Sequence, residues 1–397
     1  MIVRKFAVLL SLAALLSGGC AGPSETMQQS KQEAGKEIPV TESDAAESET
    51  EASAEPETEN PAEPGTETAA EIAAEPTVQT VTVTAVGDCT LGATQTHGYA
   101  GSFHEYYDSN GENYFFEGVR ELFEEDDFTL INLECVLSES NDRVEKTWNL
   151  KGKPEYTGIM SGSSVEACSL GNNHTRDYGE SSLKDTENVL DEAGILYGLD
   201  EHVASYTTES GIVIGIVSSN LLWQDETHAG YVRDGIAALR EQGADLVIAS
   251  CHWGIEGDHY ANDYQKDMAH QIIDWGADLV IGTHPHVLQG VELYNGKVIC
   301  YSLGNFCFGG NRNPAVKDTA VFRQTFTFVD GILQTDVEAD MIPYSISSIT
   351  GRNDFRPTMA EGERKQRIIS DLNDYSASYS DIFFDEEGQL VLKEQKE

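Results

Sequence analysis

Five times along this chain of 397 residues, a short apolar run stops and gives way to side chains that can hold a metal ion. The clearest instance is Leu279-Val280-Ile281-Gly282-Thr283-His284-Pro285-His286-Val287. An apolar run of that length, closed by glycine, reads as a buried strand. In extended backbone, residues i and i+2 point the same way. A strand end continued by His-x-His therefore aims two neutral nitrogen ligands at one point. Pro285 cannot continue a hydrogen-bonded ladder and fixes its own φ, which stiffens the turn. Alone, the two histidines read equally well as a plain surface loop; repetition of the pattern is what favours a metal.

Residues 81–86 alternate, are rich in β-branched side chains and lead into Gly87 and Asp88. A strand over 127–131 terminates in Asn132-Leu133-Glu134, and residues 165–170 run into Gly171-Asn172-Asn173-His174. Residues 245–251 then deliver His252-Trp253-Gly254. In open α/β sheets, ligand groups stand just past the carboxyl ends of strands. Helical spacing marks residues 119–123, 182–193, 234–242 and 263–275, the last three stopped by Gly194, Gly243 and Gly276. Strands at 212–217 and 297–301 continue the alternation, while 97–118 reads as an aromatic, polar loop. Strand and helix in turn point to a layered α/β domain. Residues 320–345 alternate around Asp330-Gly331, a hairpin signal that makes strands of a second sheet antiparallel. The domain is expected over 79–345, with 346–397 a C-terminal extension packed on it.

The first 20 residues are not part of a fold. Arg4 and Lys5 precede an apolar run over 6–16, too short to span a bilayer, and then Ser17-Gly18-Gly19-Cys20. This resembles a bacterial lipoprotein signal, which makes Cys20 the lipidation site and the protein exported, anchored on the outer face of the cytoplasmic membrane. Residues 21–78 hold 15 acidic and 2 basic side chains among Ala, Thr, Ser and Pro, the composition of a disordered acidic linker. Of the chain's net −43, about −32 remains on residues 79–397. That charge argues against nucleic acid as partner, and against a polyanionic substrate unless bound cations invert the local field. Cys89, Cys135, Cys168, Cys251, Cys300 and Cys307 are scattered through apolar segments without C-x-x-C spacing. They read as buried free thiols and not as a zinc ribbon.

The strand ends offer Asp88, Glu134, Asn173 with His174, His252, and His284 with His286. Carboxylates, imidazoles and one amide suit divalent Mn, Zn or Fe, one ion or two. A carboxylate bridging two ions would set up activation of water and a clamp on a phosphoryl or acyl oxygen. The order G-D, N-L-E, G-N-N-H, H-W-G, G-T-H-P-H resembles the CapA family, named for poly-γ-glutamate capsule synthesis, within the calcineurin-like metallophosphoesterase superfamily. The resemblance covers about residues 81–329. It implies a four-layer α/β/β/α sandwich of metallophosphoesterase type, with its site at the strand C-termini. It also implies that Asp88 is the first-motif aspartate and Glu134 stands at the bridging position. Asn173, His252, His284 and His286 would be further metal ligands, and His174 the catalytic histidine beside the phosphoryl oxygen or leaving group. One departure is clear: the superfamily's D-x-H is Asp88-Cys89-Thr90 here, so one metal site lacks an imidazole.

Trp253, Glu256 and Asn305 are weaker candidates for substrate binding, and His97, His104, His259 and His270 read as bystanders. The expected function is a membrane-tethered, metal-dependent hydrolase in synthesis, export or anchoring of poly-γ-glutamate or a related envelope polymer. Its partners would be that polymer and its synthesis machinery. Two rivals stand beside it. A non-catalytic scaffold of a capsule-synthesis complex is favoured by Thr90 and opposed by His174; the other is a general exported metal-dependent phosphoesterase.

Overall fold

The structure, a computed structural model, describes residues 75–393; the signal segment, Cys20 and residues 21–74 lie outside them. Along the chain come β1 (Val78–Thr90), α1 (Phe103–Asn110), β2 (Phe128–Leu133), β3 (Ala167–Ser169), α2 (Gly179–Ala193) and β4 (Leu196–Gly198). Then follow β5 (Val213–Asn220), α3 (Glu226–Glu241), β6 (Leu246–His252), α4 (Asp263–Asp274) and β7 (Leu279–Thr283). The last are β8 (Lys297–Cys300), β9 (Asn305–Phe308), β10 (Asp318–Val329), β11 (Glu338–Ser345) and α5 (Gly362–Ser376), with shorter strands and turns between.

These strands form two main sheets. In the first the order is β11-β10-β1-β2-β3-β4, with β1 to β4 parallel and β9 alongside the end of β1. In the second the order is β8-β7-β6-β5, all parallel, with an antiparallel strand at each edge. Strands buried on both faces read as continuous apolar runs, and β6 shows why. Its Leu246 and Ile248 face the first sheet, joining Val83, Ala85, Leu130 and Ile281 in one core. Its Val247 and Ala249 face outward, packing with Val232, Ile236, Ala269 and Ile272 of α3 and α4. The first sheet does the same on its outer side, where Val86, Ile131 and Cys168 meet Phe103, Leu183 and Leu190 from α1 and α2. Helices, sheet, sheet, helices: the four layers are present.

Several expectations shift in detail. The expected loop over 97–118 contains α1, whose first turn is capped by Ser102 accepting from Glu105 N–H. Helix α3 starts at Glu226, eight residues before the apolar spacing becomes regular, because Asp225 caps it by accepting the N–H of His228 at 2.9 Å. The hairpin turn is where Asp330-Gly331 places it, both residues at positive φ (51° and 77°). Its strands, however, extend the first sheet: β10 lies antiparallel to β1 from Val78 to Ala85. Alternation shows that one strand face is buried but says nothing about which neighbour it joins. Helix α5 contributes Ile368, Ile369 and Leu372 to the core between the sheets. All six cysteines among the described residues are free and buried.

At the N-terminal end of β2, opposite the strand ends that carry ligands, two acids sit close together. Thr129 donates its N–H to Glu166 at 2.7 Å and its hydroxyl to Asp126 at 2.7 Å. Burial and the Asp126 charge push the Glu166 carboxyl up to about 7, against the lowering effect of the Thr129 N–H. The folded chain therefore keeps a proton that the unfolded chain has lost between about pH 4.5 and 7, and stability falls as pH rises through that window. Glu166→Gln keeps an oxygen for Thr129 and removes the charge. Its melting temperature is expected to exceed that of the wild type at pH 8, with the gap closing as pH falls toward 4.5, as followed by scanning calorimetry.

Candidate metal centre

Every ligand predicted from the strand ends reaches the same place. Asp88 sits on β1 just past a break in its pairing with β2, and its N–H donates to Gly304 O at 2.8 Å. The strand does not stop at Gly87 but runs on to Thr90. Glu134 directly follows β2, its N–H held by Cys89 O at 3.0 Å. Asn173 and His174 lie in the turn after β3, His252 is the last residue of β6, and His284 and His286 follow β7. The first three strands belong to one sheet and the last two to the other, so the site straddles the carboxyl ends of both.

Two overlapping groups of ligand atoms emerge, Asp88-Glu134-His252 and Glu134-His284-His286, each within 4.8 Å. Glu134 belongs to both. Its Oε1 is 3.7 Å from His252 Nε2 and 3.9 Å from His174 Nε2, and its Oε2 is 3.8 Å from His286 Nδ1. His286 Nδ1 also meets Asp88 Oδ2 at 3.0 Å, and Asn173 Oδ1 meets His252 Nε2 at 3.1 Å. Glu134 is fully buried, yet neither carboxylate oxygen has a hydrogen-bond partner, and His284 Nδ1 is likewise buried and unpartnered. An orphaned buried polar group costs about 1–3 kcal/mol, and more when charged. Lone pairs left open toward one shared space, on carboxylate and imidazole, fit a divalent cation.

The electrostatics divide the cluster: two imidazoles stand neutral, while Glu134 and His286 favour protons that a bound ion would have to displace. Burial, reinforced by the Asp88 carboxylate, pushes Glu134 well above the usual carboxylate range. Burial holds His252 well below its ordinary value and, with the His286 charge, takes His284 down to about 4. Both imidazoles are thus neutral and able to ligate. Burial also opposes charge on His286, but Glu134 and Asp88 outweigh it and lift that ring to about 10.

His284 and His286 converge for a different reason from the one the sequence suggests. Strand β7 ends at Thr283, and both histidines leave the extended region, at φ 96° and 59°. Left-handed backbone at non-glycine residues costs on the order of 1–3 kcal/mol each and persists only where surroundings enforce it. Here Pro285 lies between them and His284 N–H is held at 3.3 Å by Asp88. Two glycines permit the close approach: a Cβ on Gly282 would stand 2.0 Å from Tyr301 O, and one on Gly87 1.8 Å from Gly304 O.

Around the ligands lies an outer layer that the sequence reading did not assign. Asn132 Nδ2 donates to Asp88 Oδ1 at 2.8 Å, and Asn172 donates to Asn132 Oδ1 at 3.1 Å and Leu133 O at 2.9 Å. Thr283 Oγ1 meets His252 Nδ1 at 3.0 Å. Asp177 Oδ2 lies 2.7 Å from His174 Nδ1, and Lys146 bridges Asp177 and Asn173 O. Two of these carried a signal. Asn132 shares strand parity with Glu134, and Asp177 stands three residues after His174, within reach of its ring.

Thr90 is fully buried, and its hydroxyl donates to Glu134 O at 3.3 Å instead of facing a ligand. Trp253 is corrected: strand alternation turns it away from His252 into the core, fully buried, with its indole N–H on Tyr301 O at 2.9 Å. Glu256 is exposed and lines two clefts beside His286, of about 400 and 330 Å³. Asn305 lines the smaller cleft and donates to His286 O at 3.1 Å, its Oδ1 buried without a partner. Of the expected bystanders, His97 lines the larger cleft with His174 and Trp148. His104, His259 and His270 pair with Tyr156, Leu288 O and Glu292. A separate groove of about 680 Å³ between α5 and residues 383–387 holds none of these residues.

Residues 82–310 match the family described as bacterial capsule synthesis protein PGA_cap. The chain belongs to that family. Among PGA_cap relatives, the PGA biosynthesis protein CapA of Bacillus subtilis is 29% identical over 51% of this chain and 58% of its own length. The capsule biosynthesis protein CapA of Bacillus anthracis is 29% identical over 57% of this chain and 60% of its own. A probable polyglutamine synthesis accessory protein of Mycobacterium tuberculosis is 26% identical over 45% and 55%. The chain thus spans about three-fifths of the length of the first two. The PGA_cap match contains every ligand candidate from Asp88 to His286.

If this ligand set holds an ion, removing an outer partner should weaken it by roughly 10–100-fold. Asn132→Ala is expected to fall in that range for Mn²⁺ or Zn²⁺, and His284→Ala to lose more, both by calorimetric titration. Wild-type affinity in His284→Ala would remove that histidine from the ligand set.

Proposed function

We propose that this protein is an exported, membrane-tethered, metal-dependent hydrolase acting in the synthesis, export or anchoring of poly-γ-glutamate or a related envelope polymer. The observation that carries the hydrolase reading is Glu134, a buried carboxylate with both oxygens unpartnered, common to two ligand groups and 3.9 Å from His174 Nε2. Capsule synthesis is what the names of the Bacillus relatives say of those proteins, and family membership supports extending it to this chain.

Asp88, Glu134, Asn173, His252, His284 and His286 would hold one or two ions of Mn, Zn or Fe. Such an ion supplies Lewis-acid polarisation and a water acidic enough to serve as nucleophile at neutral pH. His174 presents Nε2 toward that space while Asp177 accepts from Nδ1–H, which fixes the tautomer and the ring plane. Burial takes the His174 pKa below its ordinary value, against the opposing contact with Asp177, so the neutral ring turns an unprotonated Nε2 toward that space, able to accept a proton from water. Glu256 and His97 form the cleft wall against which substrate would lie.

The scaffold reading keeps one specific support: Thr90 occupies the D-x-H position and is engaged with Glu134 O. Assays on the Mn²⁺-loaded protein with poly-γ-glutamate and with an aryl phosphodiester separate the readings. Polymer cleavage supports the proposal, turnover of the ester alone moves the protein to a general phosphoesterase, and no turnover of either leaves the scaffold. His174→Ala is expected to lower kcat by about 10²–10⁴ with metal content unchanged. Anchoring is tested separately by Cys20→Ala, expected to move the protein from the membrane fraction to the soluble one.

A further inference from the structure

We propose that Trp148 is a stacking platform for an uncharged sugar ring, so that the cleft beside the metal centre takes a glycan-bearing substrate. The inference rests on reading that cleft as the substrate site of a hydrolase.

Trp148 leaves 55% of its surface exposed, while the next two residues, Asn149 and Leu150, are buried. Its loop is tied down. The Arg143 guanidinium bonds the Asn149 side chain and the carbonyls of Lys146 and Thr147, at 3.1 and 3.4 Å for the carbonyls. Asn149 Nδ2 donates to Val144 O at 3.2 Å and to Asp177 O at 2.9 Å. The Asp177 carboxylate accepts the N–H of Leu150 and also holds His174. One residue therefore anchors both the segment that follows Trp148 and the His174 imidazole on the same cleft wall. An indole held open to solvent by a rigid loop is preorganised contact area, which lowers the entropy cost of binding.

The charge around the cleft selects the occupant. Arg143 and Lys146 are committed to the contacts above, Lys151 to Ser140 O, and Arg312 to the carbonyls of His97 and Gly98. Among the lining residues, Glu256 is the single carboxylate and none is Lys or Arg; the one cation, His286, is already held between Asp88 and Glu134. A run of free carboxylates would enter a strongly acidic protein past Glu256 and find no guanidinium fork to receive it. A pyranose makes different demands. Its C–H face carries partial positive charge that suits the electron-rich face of an indole, and its hydroxyls need a few fixed polar partners. Glu256, Asn311 and His97 stand on the wall, and His97 Nδ1 is buried and unpartnered. An apolar wall with a few convergent polar groups is the ordinary make-up of a small-molecule site.

The test is calorimetric titration of the metal-loaded full chain with uncharged trisaccharides (chitotriose, cellotriose, maltotriose) and with tri-γ-glutamate. At least one trisaccharide is expected to bind more tightly than the glutamate trimer. Trp148→Ala should weaken that sugar about tenfold or more and Trp148→Phe only part-way, with metal content unchanged. The proposal is overturned if no trisaccharide binds, if Trp148→Ala binds sugar like the wild type, or if tri-γ-glutamate matches the best sugar and depends equally on Trp148. Failure of the hydrolase reading looks different. Sugar binding that survives in a protein with no hydrolytic activity supports the platform, and ester hydrolysis without sugar binding removes the platform alone.

Discussion

Asp88 and Glu134 are both fully buried and share their surroundings with four imidazoles, and among the described residues no Lys or Arg side chain makes a hydrogen bond or ion pair with either. Burying charge in this way is costly unless something pairs with it. The fold supplies part of the balance through His286 and through amide donors such as Asn132, and leaves the Glu134 oxygens open. Much else follows from accommodating that cluster. The parallel strands place their carboxyl ends together, β1 breaks register just before Asp88, and two histidines adopt left-handed backbone. A fold built for stability alone would pair or remove those charges.

Much of this was legible in the sequence because parallel strands buried on both faces leave continuous apolar runs whose ends are easy to see. Asp88, Glu134, His252 and the His284-Pro285-His286 turn all stand at such ends. What sequence could not show was side-chain direction where the backbone leaves extended geometry. His284 and His286 converge, but through positive φ. Trp253 looked like a pocket residue beside His252, and strand alternation alone would have sent it to the other face. Asp177 and Lys146 act through a loop folded over the turn after β3, and His97 joins the cleft through Arg312, 215 residues away. Contacts of that range leave no local periodicity to read.

Thr90 separates the metal question from the catalytic one. Its position is filled by a hydroxyl engaged with backbone, and Thr90 belongs to neither candidate ligand group; the two groups share Glu134 and draw their imidazoles from His252, His284 and His286. His174 keeps an orienting carboxylate of its own. The chain has altered one ligand position while keeping the arrangement that would move a proton.

The close approaches at Gly87 to Gly304 and Gly282 to Tyr301 join the two sheets at their ligand-bearing ends. Hydrogen bonds from Asp88 N–H to Gly304 O at 2.8 Å and from Leu303 N–H to Gly282 O at 3.2 Å complete that seam. Because it is made of main-chain atoms, every residue type but proline can supply its donors and acceptors. The apolar residues between the sheets can drift over generations, swapping valine for isoleucine or leucine, while the distance between the two halves of the site stays put. A lineage can thus diverge far in its interior and still inherit the same ligand spacing, provided the glycines at the seam are kept.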